Sequence, residues 1–131
     1  MLNRRHVLAA LALAATISFG PAASAMEKKP FDAKAFEAAQ AAGKPILVEV
    51  HAPWCPTCKA QAPILSKLSK QAKYKDVVRF NVDFDSQKEL LRKFNARTQS
   101  TLIVFKGKQE AGRSTGDTNA ASIEALLAKA I

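Results

Sequence analysis

A chain of 131 residues has room for one modest domain, and a hydrophobic share of 48% can supply a core without disulfide staples. The net charge of +9 comes from Lys and Arg scattered along the chain, with no basic block, no aromatic interleaving of basic residues and no nucleic-acid motif. Nothing in the pattern therefore points to a nucleic-acid binder; the basic surface reads first as a solvated one, with acidic partners or an anionic membrane face as the alternative.

Residues 1–25 read as a cleavable export signal. "MLNRRH" is a short positive head, "VLAALALAATISF" is an apolar run too short for a stable membrane anchor, and Ala23-Ser24-Ala25 is a small-x-small cleavage pattern. Arg4-Arg5 also suits a twin-arginine signal, although Asn3 and Val7 stand where that signal carries other residues, so general secretion stays equally open. The mature domain is expected over residues 26–131. The leader holds two Arg and no acid, which leaves a mature charge of +7.

"FDAKAFEAAQAAGK" places Phe31, Ala35, Phe36 and Ala39 at helical spacing, with Asp32 as N-cap and Gly43 as stop. "PILVEVHA" follows as a buried central strand with Glu49 inside it. The next helix is expected from Cys55 to about Ala72, with Ile64, Leu65 and Leu68 facing the core and a kink at Pro63. "DVVRFNVDF" reads as a strand in which Val78, Phe80 and Val82 alternate against Arg79, Asn81 and Asp83. "SQKELLRKFNA" is an amphipathic helix capped by Ser86, "TLIVFKGKQEAGR" a hairpin around Lys106-Gly107-Lys108, and "DTNAASIEALLAKAI" a closing helix. This order predicts an α/β domain: a central mixed sheet flanked by helices on both faces, parallel where a crossover helix joins strands.

Both cysteines of the chain lie in "HAPWCPTCKAQAP", directly after the first long strand. A strand that runs into Cys-x-x-Cys at a helix start places Cys55 among unpaired backbone N–H groups and the positive end of the helix dipole, which stabilise a thiolate. Cys58, one turn on, is within reach of a mixed disulfide on Cys55. Pro56 suits a first helical turn, and neutral Thr57 adds little extra thiolate stabilisation, which points toward an intermediate or reducing potential. Three other readings stand beside a redox pair. A structural zinc site lacks ligands, since the mature chain offers only Cys55, Cys58 and His51; a static staple across so small a loop gains little; a pair of inert buried thiols is the third.

The run "ILVEVHAPWCPTCKAQAPIL" resembles the thioredoxin superfamily, and the likeness continues through "VVRFNVD" and "STLIVFKGK". "AAGKPILVEVHAPWCPTCK" is especially similar to thioredoxin-like modules of bacterial periplasmic reducing pathways. The resemblance implies a thioredoxin fold and thiol-disulfide oxidoreductase activity, with Cys55 as nucleophile and Cys58 as resolving thiol. It makes Glu49, six residues before Cys55, a buried carboxylate that assists proton transfer at Cys58. Arg79 falls where the family has a lysine beneath that acid, and would favour ionised Glu49 if the two meet. Trp54, with Pro56, Thr57, Ser100 and Thr101, would form the client-binding surface; His51 either packs at the strand end or tunes Cys55.

One position departs from the family. Ser100 in Gln99-Ser100-Thr101 stands where a cis-proline is usual, so a trans bond is expected there. The change leaves open a metal-binding, iron–sulfur or substrate-trapping module, and a disulfide oxidase of the same fold is the other alternative. The preferred expectation is a periplasmic reductase of protein disulfides that needs no bound cofactor and no metal. Its partners would be cysteine-containing client proteins and a membrane thiol-electron transporter as reductant. No long apolar run after Met26 demands a second copy, which suits a monomer.

Overall fold

The computed structural model describes residues 26–131, so the expected leader lies outside the described residues. In chain order the elements are β1 (Lys28–Pro30), α1 (Ala33–Ala41), β2 (Pro45–His51), α2 (Pro56–Ser69), β3 (Val78–Asp83), α3 (Lys88–Lys93), β4 (Thr101–Lys106), β5 (Gln109–Thr115) and α4 (Ala120–Ala128), with a 3₁₀ turn at Ala72–Tyr74. The strands form one five-stranded sheet in the order β1-β3-β2-β4-β5. β3 runs parallel to both β1 and β2, while β4 is antiparallel to β2 and β5. This is the mixed sheet expected from the element order.

Alternation along β2 and β4 divides the core into two layers. Leu47, Leu102 and Val104 pack with Leu65 and Leu68 of α2 and Ile123, Leu126 and Leu127 of α4. Ile46, Val48, Val50 and Ile103 point the other way, onto Phe36 of α1 and Leu91 of α3. Helices thus cover both faces, and every residue from Ile46 to Val50 is buried. That double burial forces Glu49 into the interior.

Local signals explain most boundaries. Asp32 caps α1 by accepting the Ala35 N–H at 2.7 Å. Gly43, at φ +68°, ends it: its N–H reaches Gln40 O, and Lys44 N–H reaches Ala39 O. The β4–β5 turn needs Gly107, whose φ is +60° and whose Cβ position would lie 3.3 Å from Gly43 Cα. Asn119 caps α4 through Ser122 N–H.

Two expectations need correction, and one element was missed. β1 was not anticipated, because Lys-Lys-Pro carries no apolar alternation; it is held by parallel pairing with β3. α2 ends at Ser69, and Tyr74 of the following 3₁₀ turn buries its ring in the core instead. Ser86 does not cap α3. The Asp83 carboxylate at the end of β3 takes the N–H groups of Asp85 and Ser86 and the Ser86 hydroxyl, so the helix starts later, behind Gln87. Arg79 is 7% exposed, because β3 lies between two strands with both faces covered.

Candidate active site

β2 delivers the chain to Ala52, and the turn Ala52–Cys55 closes by a Cys55 N–H bond to Ala52 O. Cys55 is the N-cap of α2, with extended backbone (φ −82°, ψ 111°) and Pro56 in the first helical turn behind it. Its Sγ accepts the Cys58 backbone N–H at 3.1 Å, doing with sulfur what a capping Ser does with oxygen. Negative charge on this sulfur is met by a helix N-terminus.

Both cysteines are free thiols and both are buried, at 0% and 1% exposure, in a cluster with Ala52 against which Phe84 packs. Burial pushes the Cys58 thiol up, and its hydrogen bond with the Cys55 thiol adds to this; backbone groups of Ala52 and Ser100 oppose the shift. Cys58 thus holds its proton while Cys55 sits at the helix cap. The two sulfurs are differentiated by position on one helical turn.

Trp54 is 54% exposed beside this pair. Its indole N–H donates to Asp85 Oδ2 at 2.9 Å, and its ring meets Phe84 edge-on at 6.2 Å. An apolar plate is held outward next to Cys55 by residues of the β3–α3 connection. Pro56 is exposed and Thr57 half-buried on the same turn.

Glu49 and Arg79 meet. Arg79 Nε and Nη2 both donate to Glu49 Oε2, at 2.9 and 2.7 Å, and Lys28 Nζ of β1 stands 3.7 Å from Oε1. The carboxylate is 1% exposed and carries two cationic partners. His51, at the end of the same strand, is half-buried; burial and then the Lys28 charge hold its pKa below the ordinary 6.5, against the Glu49 and Asp83 carboxylates.

Ser100 sits opposite, before β4. Among the described residues no peptide bond is cis. Ser100 instead takes φ +60°, a left-handed conformation unusual for serine. Its N–H donates to Val50 O at 2.8 Å, and its carbonyl accepts from Gly116 N–H and from Gln61 Nε2, each at 3.1 Å. Thr101 is buried, and its hydroxyl donates to Thr98 O at 2.7 Å and lies 3.1 Å from the Thr115 hydroxyl. Its side chain is thus occupied inside the protein, whereas Ser100 borders Cys58 through its backbone.

Sequence reasoning missed Gln61, Asp85 and Lys28. Gln61 had a signal: Cys58, Gln61, Leu65 and Leu68 form the buried stripe of α2, so an amide occupies a core position. Asp85 and Lys28 had none, since their partners are 31 and 21 positions away. Among the described residues no group of three or more His, Cys, Asp or Glu side chains is arranged to hold a metal ion.

A dithiol differentiated at a helix start, on a mixed sheet covered on both faces, defines a thiol-disulfide oxidoreductase of thioredoxin fold. The comparisons agree. The thioredoxin family model matches residues 27–129. The chain is 31% identical to thioredoxin Asp f 29 of Aspergillus fumigatus over 101 residues, 76% of this chain and 91% of that protein. It is 33% identical to thioredoxin-2 of Saccharomyces cerevisiae over 95 residues, 72% of this chain and 89% of that one. Among solved structures it is similar to Trxlp from Edwardsiella tarda EIB202, with TM-score 0.75 and 42% identity, covering 77% of this chain and 98% of that one. A Schistosoma mansoni thioredoxin follows with TM-score 0.67 and 28% identity, covering 82% and 97%. The chain belongs to the thioredoxin family.

Proposed function

We propose that this protein is an exported reductase of disulfides in cysteine-containing proteins, acting in the bacterial periplasm. The observation that carries the chemistry is the unequal environment of two equally buried sulfurs: Cys55 Sγ receives an N–H at the helix cap, while the Cys58 thiol is held protonated. Cys55 thiolate attacks one sulfur of a client disulfide, forming a mixed disulfide as the client's S–S bond breaks and its other sulfur leaves with the electron pair, then takes a proton. Cys58 then loses its proton and attacks Cys55 Sγ. The Cys55–Cys58 bond forms, the client thiolate leaves and is protonated, and the two electrons have passed to the client.

Trp54 and Pro56 are read as the platform on which the client lies, with Thr57 and the backbone of Ser100 and Thr101 at its margins. Glu49 is read as the internal carboxylate that helps Cys58 shed its proton, held by Arg79 and Lys28. The expected export leader over residues 1–25 and the resemblance of "AAGKPILVEVHAPWCPTCK" to periplasmic reducing modules support the location. A membrane thiol-electron transporter is the reductant this reading calls for, with the protein acting as a monomer.

The direction of transfer is tested by the reduction potential of the Cys55–Cys58 pair in thiol buffers. The expected value lies toward that of thioredoxin, about −270 mV; a value near about −120 mV would reassign the protein as an oxidase. In the same preparation Cys55→Ser abolishes disulfide reduction, and Cys58→Ala accumulates mixed disulfides.

A further inference from the structure

Gln61 makes a connection that no packing requirement explains. Its side chain is fully buried, one helical turn after Cys58 and on the same face of α2. Nε2 donates both of its hydrogens to backbone carbonyls, that of Ser100 at 3.1 Å and that of Asp117 at 2.9 Å. The two acceptors fix the orientation of the amide, since the reverse flip would set Oε1 against two carbonyl oxygens. Oε1 itself is buried and has no hydrogen-bond partner among the described residues. A Leu or Met in this place would fill the space without burying an unpartnered Oε1, so packing alone does not call for an amide.

The two carbonyls lie on different segments. Ser100 precedes β4, and Asp117 lies between β5 and α4. Both segments emerge at the end of the sheet where β2 delivers the cysteines, as the pairing of Val50 with Thr101 and of Thr101 with Thr115 requires. Gln61 therefore ties the dithiol helix to both neighbouring turns at once. Ser100 needs such a tie, because it is held at φ +60° without a glycine's freedom. Its backbone is one of the groups that favours the Cys58 thiolate.

Resting on the exchange reading above, we propose that Gln61 is a positioning residue for the resolving step: it clamps the Ser100 turn against α2 so that the Ser100 backbone faces Cys58 as that thiol attacks Cys55. It touches neither client nor sulfur in this role. The first step, attack by Cys55 on the client, draws on the helix cap and does not involve the clamp.

The test is Gln61→Met, close in size but without a donor, with Gln61→Leu as the second variant. Stopped-flow measurement with a disulfide-containing peptide follows formation and release of the mixed disulfide separately, across pH. In the variant, formation is expected to stay within twofold, release to slow by about tenfold, the scale of the one buried hydrogen bond lost to Ser100 O, and the pH midpoint of release to rise. Equal release rates in variant and wild type would overturn the proposal. So would equal slowing of both steps, or failure of both variants to fold, each of which assigns Gln61 a purely structural role. If wild-type protein forms no mixed disulfide at all, the exchange reading has failed and the proposal with it, an outcome distinct from the others.

Discussion

The buried pair of Glu49 and Arg79 shows how a single substitution can change the meaning of its neighbour. Two N–H groups on one carboxylate oxygen, with both side chains nearly inaccessible, make a fixed unit whose parts are not separately replaceable. Arg79→Met is expected to lower the free energy of unfolding by about 3–5 kcal/mol, because it leaves a buried carboxylate with only the partly exposed Lys28 ammonium, which makes no hydrogen bond to it at 3.7 Å. Urea denaturation measures this, and restoration of most of the loss by adding Glu49→Gln would show that the uncompensated charge, not lost packing, is the cause. Arginine also keeps its proton where a lysine can surrender it, so the carboxylate's partner stays cationic throughout the redox cycle.

At the scale of elements, what could be read in advance depended on whether a signal was local. The strand, the Cys-x-x-Cys and the following helix were legible because periodicity, a capping position and a proline all fall within one stretch. The Asp32 cap and the Gly43 stop were legible for the same reason. β1 was not, since what holds it is pairing with a strand some 50 residues later and the Lys28 contact with Glu49, 21 residues on. The false Ser86 cap had the right residue type; a carboxylate three residues upstream claimed its N–H first. Within the site, the cysteines and Trp54 announced themselves, but the partners that orient them, Asp85 and Gln61, are visible only once distant segments meet. α1 illustrates an element whose place is fixed by one ring: Phe36 lies 5.3–5.9 Å from the rings of Phe31, Phe80, Phe94 and Phe105. Phe36→Ala should cost about 3–5 kcal/mol in thermal or denaturant unfolding, while leaving the potential of the dithiol unchanged because the ring belongs to the layer on the far side of β2.

For the whole molecule, the shifted groups set opposite ends of a pH profile for the reduced protein. The Cys58 pKa is raised in the folded state, so its contribution is fully present below the ordinary thiol value of 9.0 and is lost as pH rises through the folded value. His51 is shifted down, so the unfolded chain binds the extra proton; its contribution is present above 6.5 and is lost as pH falls through the folded value. Chemical denaturation of the reduced protein should therefore show a plateau between these limits and decline on both sides. Cys58→Ala should flatten the alkaline limb and His51→Gln the acid one.

The sheet order also determines how the protein behaves when crowded with copies of itself. One edge of the sheet is β1, three exposed residues long, with two lysines and a proline. An incoming strand would find too short a ladder, two positive charges and a position with no N–H to offer, so this side is closed to edge-to-edge aggregation without any covering element.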